Sequence, residues 1–279
     1  MTAAVTAPGL GEVVFVGTGF SLVTQTTPEA LGAMRRADKL FHVVAEPAAA
    51  VWIKSLNPTA ESLALLYREG KPRGETYREM VGRILEHVHR GEKVCVALYG
   101  HPTIGCDPTQ MVLALGRDEG FAVRILPAIS SDACLYADLG IDPMVDGIQA
   151  YEASVFVQRR PRIDTRTPIV LWQIGFIGES SIQFSGRANK PGVTALARRL
   201  TAYYGKDHKV AIYQASWYPF LPSTVIWTDI RSLPETATAA VATLFVPARR
   251  RPATSRTAGS PRPRRAGAQA RPPGVRRPY

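Results

Sequence analysis

Tyrosines at 67, 77 and 99 and an arginine at 73 are residue types that can act together on a tightly held proton. A phenol is a poor base at its ordinary pKa of about 10. A neighbouring guanidinium, which keeps its charge, favours the phenolate and lowers that value. Such a set suits removal of a proton from a very weak acid, or hydrogen bonding to an anion as it forms. Spacing alone leaves a second account open, in which the tyrosines are core or interface aromatics and Arg73 lies on the surface.

These residues need elements to hold them. Val94–Leu98 is a nearly continuous apolar run, the pattern of a strand buried on both faces of a parallel sheet. It stops at Tyr99-Gly100-His101-Pro102, where glycine permits unusual backbone angles and proline removes a donor. Ligands of open α/β sheets bind just beyond the carboxyl ends of the strands, although an ordinary strand-ending turn would read the same way. Glu12–Val16 reads as the first strand, ending in Gly17-Thr18-Gly19-Phe20-Ser21. That turn is half a dinucleotide fingerprint, without the third glycine or a well-placed helix, and is weak evidence for a nicotinamide cofactor.

The rest of the first half alternates. Thr27-Pro28-Glu29 caps a helix running to Ala37, and Lys39–Val44 is a strand. Glu61–Tyr67 is expected to be helical, and Gly70–Gly74 breaks the pattern. Glu75–His89 resumes it with Tyr77, Met80, Val81, Ile84, Leu85 and Val88 on one face. A helix from Pro108 to Glu119 and a strand at Phe121–Leu126 follow, so the class is α/β with a mainly parallel first sheet. Ser130–Asp138 reads as a capped helix opening a second half. There Tyr151–Phe156, Pro168–Ile174, Lys209–Gln214 and Ala240–Val246 read as strands and Gly192–Tyr204 as a helix. Longer, hairpin-like spacing predicts a mixed sheet there. No internal repeat is present.

The net charge of +11 suggests nucleic acid until its location is considered. Residues 249–279 hold ten arginines and no acid, which leaves about +1 for residues 1–248. The folded body is therefore not expected to bind nucleic acid. The Arg/Pro/Ala/Gly tail lacks large apolar side chains to offset ordering entropy and is expected to be disordered; an arm for a polyanion is the alternative. Three cysteines without C-x-x-C spacing suit reduced thiols, and no signal peptide or apolar span is seen, so a cytoplasmic protein off the membrane is expected. The five histidines, at 42, 87, 89, 101 and 208, lack the spacing of a metal site, and His87 and His89 are expected to be solvated. No G-x-S-x-G elbow supports a serine hydrolase.

Over residues 10–248 the chain resembles the tetrapyrrole-methylase superfamily of S-adenosylmethionine-dependent methyltransferases, and within it the borosin peptide backbone α-N-methyltransferases. The likeness is carried by Val16-Gly-Thr-Gly19, by Tyr67 with Gly70-Lys-x-Arg73-x-x-Thr-Tyr77, and by Tyr99-Gly-His-Pro102. It continues in Ser130-Ser131-x-x-Cys134-Leu-x-Ala-Asp-Leu139, Asp142-Pro143, Tyr151-Glu-Ala-Ser154 and Gln173-x-Gly175. The resemblance implies two α/β subdomains, at 1–125 and 126–248, with the cofactor in a cleft between them and the tail at 249–279. It implies catalytic roles for Tyr67, Arg73, Tyr77 and Tyr99, without deciding which tyrosine is the base. It implies cofactor contacts at Gly17, Gly19, Tyr99, Gly100, His101, Pro102, Thr103, Ser130, Ser131, Gln173, Tyr213 and Gln214. The implied substrate is a ribosomally made precursor peptide, and the implied assembly is a homodimer, or a heterotetramer with the precursor.

Two departures qualify this. Ala64 stands where some relatives carry another tyrosine, and residues 249–279 contain no Val/Ile/Leu-rich segment to methylate. The expected arrangement is thus a split one, with the precursor on a separate chain. Rival readings are a corrinoid or diphthamide-type methyltransferase on the same fold, and a degenerate binding subunit.

Overall fold

The computed structural model describes residues 7–21, 23–44, 46–181, 186–237 and 239–249; the Arg/Pro-rich tail beyond them lies outside the described residues. The first sheet has the order β3-β2-β4-β1-β5 with every pairing parallel. Its strands are β1 (Glu12–Gly17), β2 (Lys39–Val43), β3 (Glu61–Ser62), β4 (Lys93–Leu98) and β5 (Ala122–Leu126). Between them run α1 (Pro28–Arg36), α2 (Pro47–Leu56), α3 (Arg73–Val88) and α4 (Asp107–Glu119). Alternate residues of β4 face opposite ways and every one from Val94 to Leu98 is buried. Val94 and Val96 join Phe15 and Phe41 beneath Met80, Ile84 and Val112 of α3 and α4. Cys95 and Ala97 join Leu40 beneath Met34 and Ile53 of α1 and α2. Burial pushes the Cys95 thiol up to about 12, and all three cysteines are unbridged.

The second sheet has the order β6-β7-β10-β8-β9, in which β6 (Gln149–Glu152) and β7 (Ile169–Trp172) are parallel. The remaining pairings, with β8 (Lys209–Gln214), β9 (Thr224–Asp229) and β10 (Thr243–Val246), are antiparallel, so the sheet is mixed as expected. One face packs on Phe156 of α7 (Ala153–Arg159) and on Val193, Leu196 and Leu200 of α8 (Lys190–Tyr204). The other packs on Leu135 of α5 (Ser131–Leu139). Two four-residue helices, α6 (Pro143–Asp146) and α9 (Leu233–Thr236), complete the set.

Several local expectations are corrected. Glu61–Tyr67 is not an α-helix: Glu61 and Ser62 extend the first sheet, and Leu63–Leu66 is a single 3₁₀ turn. The expected strand Tyr151–Phe156 ends at Glu152, the last residue of β6, because the Glu152 carboxylate caps a helix by accepting from the Val155 N–H, so the chain turns helical at Ala153. The expected strands Pro168–Ile174 and Ala240–Val246 shorten to β7 and β10. His87 is not solvated; its Nδ1 lies 2.7 Å from a Glu92 carboxylate oxygen and its ring lies edge-on to Phe41. Helices α2 and α6 and strand β9 have no counterpart in the sequence reading.

Candidate active site

β1 and β4 lie side by side, so their carboxyl-terminal turns meet. Gly19 and Gly100 hold left-handed angles (φ +66° and +67°) and bond to each other, the Gly100 N–H donating to the Gly19 carbonyl at 2.8 Å and the Gly19 N–H to the Gly100 carbonyl at 3.4 Å. A methyl on Gly17 would lie 2.3 Å from the Gly100 carbonyl oxygen and 3.0 Å from Pro102, so only glycine lets the turns close. Gly17 and Pro102 thus shape the turns from behind. Beyond them His101 is fixed in one tautomer. Its Nδ1 accepts from the Thr103 N–H at 3.2 Å and lies 3.0 Å from the Thr103 hydroxyl. A backbone N–H can only donate, so the neutral ring carries its proton on Nε2.

These turns border a cleft of about 860 Å³ that runs from the first sheet to the second. Tyr99, Gly100, His101 and Thr103 line it from β4. Ser130 and Ser131 line it from the start of α5, and Gln173, Tyr213 and Gln214 from the ends of β7 and β8. Gln173 takes a left-handed φ of +59°, costly for a residue with a Cβ. The Tyr213 hydroxyl is committed, donating to Asp138 at 2.7 Å. Tyr67, Arg73 and Tyr77 line the same cleft together with Ala64, so the structure gathers twelve of the candidate residues around one space. Gly17, Gly19 and Pro102 do not border it.

Sequence reasoning missed several neighbours. Trp217, from the loop between β8 and β9, packs against Phe20 and Tyr99 at centroid distances of 5.5 and 5.8 Å. Trp172 ends β7, and its indole N–H is buried with no protein partner. Glu152 and Cys106 also border the space. Only the YEAS stretch, quoted for its likeness, pointed at one of these positions.

Residues 12–218 match the family model of the Tetrapyrrole (Corrin/Porphyrin) Methylases. The chain belongs to that family. It is 34% identical over 241 residues to a methyltransferase/ribosomally synthesized cyclic peptide gymnopeptides precursor of Gymnopus fusipes, covering 85% of this chain and 57% of that protein. Against the corresponding dendrothelin A precursor of Dendrothele bispora it is 37% identical over 209 residues, covering 75% and 50%. The chain therefore spans about half the length of these relatives. Among solved structures, the uroporphyrin-III-C-methyltransferase of Thermus thermophilus superposes with a TM-score of 0.57 at 17% identity, over 85% of this chain and 92% of that one, and shows the shared fold.

In this chain α3 begins at Arg73, two residues before the expected start. Arg73 and Tyr77 are therefore i and i+4 on one helix face. Tyr67 follows the 3₁₀ turn and meets Tyr77 edge-to-face at 6.4 Å. The expected lowering of the tyrosine pKa by Arg73 does not prevail. Burial comes first for Tyr67, Tyr77 and Tyr99, and each phenol lies above its ordinary value. Within that set the three differ. Tyr77 is drawn down by the Arg73 charge and by a hydrogen bond from Tyr67, whereas that bond raises Tyr67. Arg73 draws Tyr99 down as well, so of the three Tyr77 alone has both influences toward the phenolate. Among the described residues, no group of His, Cys, Asp and Glu is placed to hold a metal ion.

Proposed function

We propose that this chain is an S-adenosylmethionine-dependent methyltransferase acting on backbone amide nitrogens of a ribosomally made precursor peptide. The observation that carries the reading is the convergence of Tyr67, Arg73 and Tyr77 on the cleft that the turn at Gly100 also borders. The relatives' names, which join a methyltransferase to a cyclic-peptide precursor, support it. The cofactor fits the polar groups that line the same cleft, the His101 Nε2–H, two serine hydroxyls, two glutamine amides and the unpartnered Trp172 N–H.

When bound, S-adenosylmethionine supplies a methyl group already activated on a sulfonium, which leaves as a neutral thioether once the methyl is on nitrogen. The protein's task is the N–H proton, because a peptide amide is a very weak acid. Arg73 stabilises negative charge growing on the amide oxygen, the Tyr67 hydroxyl donates to Tyr77, and the Tyr77 oxygen, as phenolate, takes the proton. Tyr99 borders the same cleft and holds the two reactants in register.

We assign the substrate to a precursor peptide on a separate chain. The methylase is further proposed to assemble as a homodimer, with which the precursor forms a heterotetramer. Co-expression with a small helical leader carrying a Val/Ile/Leu-rich tail, followed by mass spectrometry, is the test. Added methyl groups on tail amides are expected. Methylation of a tetrapyrrole and of no peptide would overturn the assignment.

A further inference from the structure

Among the described residues, Arg73 is the only lysine or arginine lining the cleft, yet no carboxylate among them pairs with it. Nearby cations do pair: Lys71 is 2.5 Å from Glu79, and Arg83 contacts both Glu61 and Glu86. Arg73 is instead held by a turn from the second sheet's side of the chain. Its Nη2 donates to the Glu179 carbonyl at 2.9 Å, and its guanidinium lies over the Phe176 ring at 5.4 Å. Its backbone N–H donates to the Ser180 carbonyl at 2.8 Å, and Pro72 bridges Ser181.

Phe176 and Glu179 are the first and last residues of one tight turn. Glu179 N–H donates to the Phe176 carbonyl at 3.0 Å, with Ile177 at φ −59°, ψ 118° and Gly178 at φ +81° between them. Those angles are the type II pattern, which calls for glycine in the third place. The turn is itself pinned by Asn189, whose side-chain amide donates to the Ile177 carbonyl at 2.9 Å. An aromatic face and a carbonyl dipole both attract a guanidinium without neutralising it. A carboxylate in the same place would hold it equally well and cancel the charge.

We propose that the Phe176–Glu179 turn is the positioning element for Arg73, clamping the guanidinium from across the cleft while leaving its charge free for the substrate amide. This rests on the peptide-amide reading above. Phe176 and Glu179 are positioning residues that act through Arg73.

The turn predicts a signature distinct from simple loss of packing. The groups facing Tyr77 are Arg73 on its own helix, Tyr67, Tyr99, and Cys106 and Asp107 at the start of α4. Of these Arg73 carries the cation that favours the phenolate, so an unclamped Arg73 moves the rise of rate with pH to higher pH. The experiment compares the wild type with Phe176→Leu, Phe176→Tyr and Gly178→Ala. Each is assayed across pH with a leader peptide bearing a Val/Ile/Leu-rich tail, and with S-adenosylmethionine by calorimetry. Phe176→Leu is expected to lower kcat by roughly 10²-fold, as small misplacements do, to shift the profile to higher pH, and to keep the cofactor affinity. Phe176→Tyr, which keeps the ring, is expected to keep the wild-type rate and profile. Gly178→Ala puts its methyl 3.7 Å from the Asn189 amide, in ordinary contact, but forces a strained φ that swings the Glu179 carbonyl away. It carries the test alone if Phe176→Leu does not fold. Wild-type kcat and pH profile in both Phe176→Leu and Gly178→Ala would overturn the clamp while leaving the amide reading standing. A wild-type protein that binds cofactor and methylates no peptide would remove the reading, and the clamp with it.

Discussion

Three buried phenols around one guanidinium set two influences against each other, and burial is the larger. The residue types and their spacing were legible in the chain, because tyrosine and arginine announce what they can do. The balance was not, since it depends on how completely folding covers each ring. The consequence is testable at Tyr77. A phenol whose pKa lies above its ordinary value is largely protonated near neutral pH, so its phenolate fraction grows tenfold per pH unit. The methylation rate is expected to rise with pH, log rate against pH approaching a slope of one between neutrality and pH 9. Tyr77→Phe deletes only the hydroxyl and is expected to reduce the rate by about 10²–10³ and to flatten that slope. Tyr67→Phe, which removes the donor to Tyr77, should reduce the rate and retain the slope. A Tyr77→Phe enzyme with the wild-type rate and slope would show that the proton goes elsewhere. Cofactor affinity, measured alongside, should not change in either variant.

At the scale of elements, β2 carries a histidine inside the sheet. His42 is 5% exposed, its Nδ1 has no partner, and burial together with Lys54 of α2 holds its pKa below the ordinary value. The folded protein keeps this ring neutral where the unfolded chain would protonate it. Below about pH 6.5 the unfolded state binds more protons, so stability falls as pH falls, by at most about 1.4 kcal/mol per pH unit for this one group. His42→Leu is expected to flatten that part of the Tm-against-pH curve between pH 7 and 5, and an unaltered curve would assign the loss to other groups. The strand itself was legible from Lys39–Val44, as were β1, β4, α1, α3 and α8, because each carries an apolar period or a cap. Helix α2 was missed because Pro47-Ala-Ala-Ala has no amphipathic stripe, and its start is set by the Glu46 carboxylate accepting from the Ala48 N–H. Strand β9 was missed because it is an edge, with Ile226 and Trp227 largely exposed, so burial left no alternation to read. At 151–156 an apolar run passed for a strand because the capping role of Glu152 appears only once the helix exists.

For the molecule as a whole, the two-sheet plan was readable from strand spacing, while the order of strands within the second sheet was not. The contacts made by Pro247 and Arg249 also needed coordinates. The Pro247 carbonyl lies 3.0 Å from His208 Nε2, and the Arg249 N–H donates to the Thr165 carbonyl at 2.7 Å. Truncation after Arg249 is expected to leave S-adenosylmethionine affinity unchanged in calorimetry, whereas a cut before Pro247 should lower Tm. Loss of cofactor binding in the Arg249 truncation would give the Arg-rich segment a part in the fold. Strand order has a further effect on how the protein is made. Among the described residues β10 is the last strand, yet it lies in the middle of its sheet, between β7 and β8. Until the ribosome has released it, β7 and β8 have no common neighbour, and the turn at 176–179 that follows β7 hangs from half a sheet. The first sheet, complete by Leu126, can close early around its glycine turns, while the turn that holds Arg73 waits for the second sheet. A nascent chain can therefore display a formed first sheet well before it can act, so methyl transfer begins only after synthesis of the folded body is essentially finished.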